Sequence, residues 1–233
     1  MARQKQTPET LSTFLLYLAG QQSNECSRLP ALTRLSDELA VSVASLREQL
    51  EVARSLGFVE VKPKTGIRRI DYSFKPAVVQ SLQYAIACQP DLFQAYANLR
   101  SHIESAYWYE AVSQLTVEDH QNLQMLVRQA QEKLDGQPVQ IPHDEHRALH
   151  LSIYRRLDNP FVLGLLEAYW DVYETSGLNL YTDLAYLQQV WRYHAKMVEA
   201  ICRGDYVAGY KTLMDHLDLF YQRSKPLSRQ MFE

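Results

Sequence analysis

Four of the seven histidines are spaced so that their rings can meet in a helical fold. His146 and His150 lie four residues apart in a segment of helical periodicity, so both rings project from one helix face. His194 precedes Gly204 by ten residues, and His216 follows it by twelve. If Gly204 forms the turn of a helical hairpin, a rise of about 1.5 Å per residue puts both rings about 15 to 18 Å from the turn. The spacing therefore predicts that three helices bring four imidazoles together.

A group of four imidazoles is a binding site for a divalent transition metal. Neutral imidazole suits Zn, Ni, Mn and Fe, and metals with larger coordination numbers keep positions open for a carboxylate ligand. A single histidine is more often a surface residue or a hydrogen-bonded core residue, so this interpretation depends on the combined spacing. The metal ligands that we predict are His146, His150, His194 and His216.

The elements that must position these histidines are helices. The chain of 233 residues has only 8 Gly and 9 Pro and is rich in Leu, Ala, Gln, Glu and Arg, which favours helix over sheet. Beyond Lys75-Pro76 no strand pattern is present, and helix-breaking residues divide the sequence into segments. We predict about six or seven helices there, near residues 78–88, 90–113, 116–135, 142–157, 160–176, 181–203 and 205–223.

The first 76 residues show a different order of elements. A packing helix is expected to end at Gly20 and to begin after Thr7 and Pro8, which suit the cap and the first turn. Two short helices follow, in LPALTRLSDELAV and in SVASLREQLEVARSLG, each with apolar residues at helical spacing. The segment FVEVKPKTGIRRIDYSF then alternates around a turn, which predicts a small β-hairpin. Helix, helix and basic hairpin is the order of a winged helix-turn-helix.

In such a domain the second helix enters the major groove of DNA, while neighbouring residues contact phosphate. Here that helix is expected to run from Val43 to Leu56, and four Lys and Arg residues follow in an eight-residue stretch of the hairpin. The residues that we place at the DNA on this basis are Ser42, Ala44, Ser45, Arg47, Lys62, Lys64, Arg68 and Arg69. The alternative is that this region does not bind DNA. The helices would then only pack together, and the charges of the hairpin would only keep its exposed strand edge in solvent.

The charge balance differs between the two parts of the chain. Residues 1–76 carry 11 Lys and Arg against 8 Asp and Glu, a net charge of +3, whereas the rest of the chain has a net charge of −6. A polyanion binds where Lys and Arg displace its counterions. A charge of this size is equally compatible with an ordinary solvated surface, so it supports DNA binding only together with the element order.

Cysteine usage and hydropathy exclude other classes of protein. Cys26, Cys88 and Cys202 have no paired spacing, so neither a disulfide framework nor a thiolate zinc cluster is available. No apolar run approaches the roughly 20 residues of a membrane-spanning helix, and no apolar segment follows the N-terminal charges. We expect a cytoplasmic protein without a membrane partner.

The segment LPALTRLSDELAVSVASLREQLEVARSLGFVEVKPKTG resembles the GntR-type winged helix. It follows the sequence pattern of that family without gaps through Val61. The resemblance implies DNA contacts at Ser42, at Arg47 and in the wing around Gly66. The family's first-helix Arg falls on Thr33, with Arg34 one residue later, so Arg34 is also placed at the DNA. These departures change the expected operator sequence rather than DNA binding itself.

The C-terminal part resembles the FCD ligand-binding domain of the FadR-type GntR regulators, which often holds a metal through an Asp-x-x-x-His pair and two later histidines. His150, His194 and His216 match three of these ligands, whereas His146 stands at the position of the Asp. The resemblance implies an all-histidine site that depends more on an incoming anion for charge balance. Asp144 and Glu145 point to other helix faces and do not replace the missing carboxylate.

Arg100 matches the Arg of the family's Arg-x-x-Leu-Glu segment, with Glu104 kept. In the family this helix lines the effector pocket, so the resemblance implies that Arg100 binds the carboxylate of a small organic acid. A surface ion pair between Arg100 and Glu104 is the simpler alternative. Two aromatic groups either line the cavity or fill the core, and we expect most of their members to fill the core: Tyr107, Trp108 and Tyr109, and Tyr169, Trp170 and Tyr173.

We therefore predict a mainly α-helical protein with two domains. Residues 1–76 form a winged helix-turn-helix with a small β-hairpin wing, and residues 77–233 form an all-helical bundle for effector binding, metal binding and dimerisation. The predicted function is a homodimeric repressor that binds a double-stranded DNA operator and senses a small organic acid. The alternatives are a metal-binding helical interaction module and a metalloenzyme without DNA binding. No Ser-His-Asp set, His-Glu-x-x-His helix or glycine-rich phosphate loop favours an enzyme.

Overall fold

The computed structural model describes residues 11–21, 28–175 and 183–230. The chain divides into two compact units, Met1–Ala77 and Val78–Glu233. Each unit has its own hydrophobic core, and helices dominate both.

The first unit has three helices and a two-stranded sheet among its described residues. A buried face of each helix contributes to one core, which contains Phe14, Leu35, Leu46, Leu50 and Ala53. This confirms the inward-facing positions that helical periodicity predicts for the second and third helices. The elements are α1 Thr13–Gly20, α2 Leu32–Leu39, α3 Val43–Ser55, β1 Val59–Lys62 and β2 Gly66–Arg69.

The end of α3 sets the direction of the hairpin. Gly57 has a φ of +74°, and the amide of Phe58 donates to the carbonyl of Ala53 at 2.9 Å, which is a Schellman-type helix end. The strands then pair antiparallel, with Val59 opposite Arg69 and Lys62 opposite Gly66.

The second unit consists, in its described part, of seven helices. Their bounds are α4 Lys75–Cys88, α5 Leu92–Ser113, α6 Val117–Asp135, α7 His143–Tyr154, α8 Pro160–Thr175, α9 Leu184–Cys202 and α10 Tyr206–Gln230, of which α4 begins just before the division between the units. The largest core cluster joins all six helices from α5 to α10 around the fully buried Trp108. A Cβ atom on Gly209 would lie 2.8 Å from the Trp108 ring, so glycine lets α10 approach α5 closely.

Local sequence explains where these helices begin and end. Thr116 and Asp119 form a reciprocal capping box at the start of α6, and the Asn159 carboxamide oxygen accepts from two amides at the start of α8. Gly204, with a φ of +74°, ends α9. The Asp205 carboxylate then accepts from the amide of Ala208 in α10. The predicted hairpin turn at Gly204 is confirmed.

Several predicted bounds are wrong by a few residues. α1 begins at Thr13 with Ser12 as its N-cap, while the predicted cap Thr7 lies outside the described residues. α4 begins at Lys75 rather than at residue 78, because proline is compatible with the first helical turn. β2 ends at Arg69, so the later apolar residues of the hairpin segment are not part of the strand.

Further bounds differ in the second unit. α10 continues to Gln230 rather than ending at residue 223. α7 ends at Tyr154 instead of residue 157, because the amide of Leu157 bonds to the carbonyl of Tyr154, in a turn tighter than an α-helix. α9 begins at Leu184, after its cap Asp183. The predicted start at residue 181 lies outside the described residues.

Candidate metal centre and nucleic-acid interface

Four histidines from three helices converge inside the second unit. His146 and His150 come from α7, His194 from α9 and His216 from α10. One ring nitrogen of each lies within 4.8 Å of those of the others, and the ring centroids are 4.5 to 6.1 Å apart. The arrangement matches the convergence that the spacing of these residues implies.

Burial sets the protonation state of this cluster. His150, His194 and His216 expose 5% of their surface or less. Burial, together with repulsion from neighbouring rings and Arg100, lowers the pKa of every one of the four imidazoles, that of His216 to about 3. All four rings are therefore neutral at neutral pH, which is the form that binds metals.

The unpaired atoms of the cluster fit a metal ion. His146 Nε2 and His216 Nδ1 are buried without a hydrogen-bond partner, and such orphaned polar atoms are costly unless something binds them. His194 turns its Nε2 toward His150 Nε2 at 3.2 Å. The described part of the chain contains no other group of three or more possible metal ligands. These residues can hold a divalent transition metal, with imidazole as the only protein ligand type.

Arg100 and Glu104 border the cluster from α5. The Arg100 Nε donates to Glu104 Oε1 at 3.0 Å, and Arg100 Nη2 lies 2.8 Å from His150 Nδ1. Arg100 is 7% exposed and Glu104 is 1% exposed, so the alternative of a surface ion pair is wrong. Burial lowers the pKa of Arg100, but the charge and hydrogen bond of Glu104 together with Tyr169 raise it overall, which keeps the guanidinium charged.

Aromatic rings form a wall of the same site. The Arg100 guanidinium carbon lies 4.5 Å from the centre of the Tyr169 ring and 4.8 Å from that of Trp170, which stabilises the buried cation. Trp170 and Trp191 also stand beside His146, with ring centroids at 4.8 and 6.1 Å, and their indole N–H groups are buried without an acceptor. Buried N–H donors without an acceptor are better suited to binding an anion than to filling a closed core.

The other residues that the sequence suggested fall outside this site or fill the core. Asp144 is exposed and Glu145 pairs with Lys133 Nζ at 2.7 Å, so neither carboxylate joins the histidines. Trp108 is fully buried and donates to the carbonyl of Tyr206 at 2.9 Å. Tyr109 is 48% exposed, so it is an exception to the expectation that most of these aromatic residues fill the core.

Sequence reasoning missed Trp191 as part of the site wall, whereas it named Trp170 as a residue that either lines the cavity or fills the core. Trp191 stands three residues before His194, and this i,i+3 spacing was a signal that both share a helix face. Trp170 lies on α8, and nothing in its spacing relates it to the histidines on other helices.

The expected DNA-contacting residues of α3 lie at its exposed N-terminal end. Ser42 is the N-cap, and its hydroxyl accepts from the amide of Ser45 at 3.2 Å. Ala44 and Arg47 are exposed, as is Arg34 on α2. Ser45 is half-buried, and its hydroxyl accepts from Gln49.

The wing presents its cations along one hairpin. Lys62, Lys64 and Arg68 are exposed. Lys64, with a φ of +69°, lies in the middle of the turn, and Gly66, with a φ of +81°, begins β2. Arg69, in contrast, is half-buried and donates to the carbonyl of Gln21 at 2.5 Å, so it ties the wing to the end of α1.

Comparison with known proteins supports the two-part architecture. The profile of the FCD domain family matches residues 95–219, which include Arg100 and all four histidines. Curated proteins of Escherichia coli and Shigella flexneri, each named as a regulatory protein of an L-lactate dehydrogenase operon, are 27% identical over 205 residues, covering 85% of this chain and 78% of theirs. The solved structure of Streptococcus agalactiae GntR shares the fold, with a TM-score of 0.61 at 17% identity, over 90% of this chain and 96% of that one.

No helix of the described part combines the length and the apolar character needed to cross a membrane. The curated relatives are named as regulatory proteins rather than as enzymes, which speaks against the metalloenzyme alternative. The match over residues 95–219 identifies the chain as a member of the FCD domain family.

Proposed function

We propose that this regulator is a repressor whose affinity for operator DNA changes when a small organic acid binds at a metal in the helical unit. The observation that carries the proposal is the buried Arg100 guanidinium, which stands 2.8 Å from one of four converging neutral imidazoles. A divalent ion on four neutral ligands keeps its full charge. Such a site attracts an anion, and an Arg provides paired donors for a carboxylate.

The metal would be held by His146, His150, His194 and His216, and it would supply a Lewis-acidic position for a carboxylate oxygen. The chain's own groups would complete the anion site. Arg100 would donate to the carboxylate, and the unpaired indole N–H groups of Trp170 and Trp191 are two further donors near the same cluster. The aromatic wall excludes water and so strengthens these interactions.

For the DNA side we propose that Arg34, Ser42, Ala44, Ser45 and Arg47 meet the major groove, and that wing residues contact the backbone. The wing set is Lys62, Lys64, Gly66 and Arg68. A homodimer would present two such surfaces to the half-sites of a two-fold symmetric operator, and a ligand that alters their spacing changes affinity. An interaction module without DNA binding has no use for this exposed basic surface.

The test is operator binding by the full chain, measured by fluorescence anisotropy on the promoter region of its own gene. Small organic acids are added singly, with and without zinc and after treatment with a chelator. We expect at least one acid to change the dissociation constant, and we expect chelation to abolish that change. Affinity that no acid and no chelator alters would refute the sensing function, and no binding at any salt concentration would refute the DNA-binding function.

A further inference from the structure

The Nδ1 atom of His150 has two neighbours that demand opposite protonation states. Arg100 Nη2 lies 2.8 Å from it, and Glu104 Oε1 lies 3.1 Å from it. A guanidinium only donates, so it requires a lone pair on Nδ1, whereas a carboxylate only accepts, so it requires a proton there. A neutral imidazole carries a single N–H, and it satisfies one of these partners at a time.

The choice at Nδ1 decides what the other ring nitrogen can do. His150 Nε2 faces the cluster and lies 3.2 Å from His194 Nε2. When Arg100 donates to Nδ1, the ring proton is on Nε2, and this nitrogen cannot bind a metal. When Nδ1–H donates to Glu104, the Nε2 lone pair is directed into the cluster.

We infer that Arg100, Glu104 and His150 form a tautomer switch in which metal binding moves the ring proton to Nδ1, where it is held by Glu104. One proton leaves Nε2 and one is taken up at Nδ1, so the ring stays neutral. Glu104 is then a positioning residue for the metal ligand. The inference rests on the proposed metal site and adds the regulation of that site.

The switch has a consequence for Arg100. Its Nη2 keeps the contact with Glu104 Oε1 at 3.0 Å but loses its acceptor on His150. A buried N–H without an acceptor is unfavourable, and the stacked Tyr169 and Trp170 rings restrict where the guanidinium can go. An oxygen of an incoming carboxylate restores the lost hydrogen bond. Metal loading therefore prepares Arg100 for the anion, so the two ligands bind cooperatively.

The experiment uses the full-length protein with ¹⁵N-labelled imidazoles and zinc as the probe. Long-range ¹H–¹⁵N spectra report which nitrogen of His150 carries the proton. In the metal-free protein we expect a substantial Nε2–H population, and saturating zinc should convert it to Nδ1–H. A ring that carries the proton on Nδ1 both before and after zinc addition would overturn the inference.

Variants provide the second measurement. Glu104→Gln should weaken zinc binding by about 10- to 100-fold, as expected for loss of a carboxylate that orients a metal ligand, and should favour the Nε2–H form. Glu145→Gln is the matched control, because Glu145 is also buried but pairs with Lys133 rather than with a histidine. It should leave zinc affinity within about twofold. Equal zinc affinity of Glu104→Gln and the wild type would overturn the inference.

The outcomes separate this inference from the proposed function. Wild-type protein that takes up no zinc, nickel, manganese or iron would refute the metal site and the switch together. Metal uptake without a change of tautomer would refute the switch alone. If Glu104→Gln fails to fold, the wild-type spectra still decide the question.

Discussion

His150 and His194 face each other with their Nε2 atoms 3.2 Å apart, although 44 positions separate them in the chain. Two nitrogens that each lie about 2.1 Å from one ion are about 3 to 3.4 Å from each other. The pair thus has the separation that a shared metal requires, and α7 and α9 hold it there inside a packed core.

The first prediction concerns metal content. His150→Ala or His194→Ala removes a buried ligand, so we expect purified protein to lose its metal, as measured by elemental analysis. His102→Ala is the matched control, because His102 is exposed and its Nδ1 hydrogen-bonds to the carbonyl of Asn98 on its own helix. Full metal retention in both ligand variants would show that the histidine cluster is not the metal site.

The second prediction concerns charge at the metal. His146→Asp replaces a neutral ligand with a carboxylate and reduces the net positive charge of the loaded site. We expect zinc to bind about tenfold more tightly in buffer free of organic acids, which corresponds to about 1.4 kcal/mol, and we expect added acids to matter less. Competition with a zinc chelator measures the affinity. Weaker zinc binding by this variant would contradict the charge argument.

The third prediction separates the two units. Arg47 is exposed at the start of α3, and Arg47→Ala should weaken operator binding by about 1 to 3 kcal/mol if it contacts a base, while metal content stays unchanged. Arg203→Ala removes an equally exposed cation from the helical unit, where it pairs with Glu199, and should leave operator affinity unaltered. Equal losses in both variants would indicate that only overall charge matters.

The fourth prediction is a pH dependence of the metal-free protein. Burial lowers the pKa of His150, His194 and His216 from about 6.5, so below that pH the unfolded chain binds protons that the folded chain does not. The free energy of unfolding should therefore fall as pH drops from 7.5 to 5.5, by about 1.4 kcal/mol for each imidazole that stays neutral.

Urea denaturation of chelator-treated protein at the two pH values measures this change. His216→Gln should lose part of the pH dependence, whereas His102→Gln, at an exposed position, should keep it. A free energy of unfolding that is the same at both pH values would mean that these imidazoles are hydrated or already charged.

Much of the fold was predictable because its signals are local. Helix caps such as Thr116 and stops such as Gly57 and Gly204 act within a few residues, so the sequence displays them directly. The predicted bounds of helices are wrong where a local preference is weak. At the start of α4, Pro76 is compatible both with a break before a helix and with its first turn.

The sequence by itself determined that His146 and His150 share a helix face and that His194 and His216 stand at similar height on a hairpin, because helical geometry fixes both relations. Only the tertiary structure decided what surrounds them. Whether Arg100 and Glu104 form an exposed or a buried ion pair depends on which helix packs over α5. That packing cannot be predicted from the sequence of α5 alone. Tertiary packing of α5 and α8 placed the ion pair under the rings of Tyr169 and Trp170, beside the imidazole whose proton it controls in our proposal.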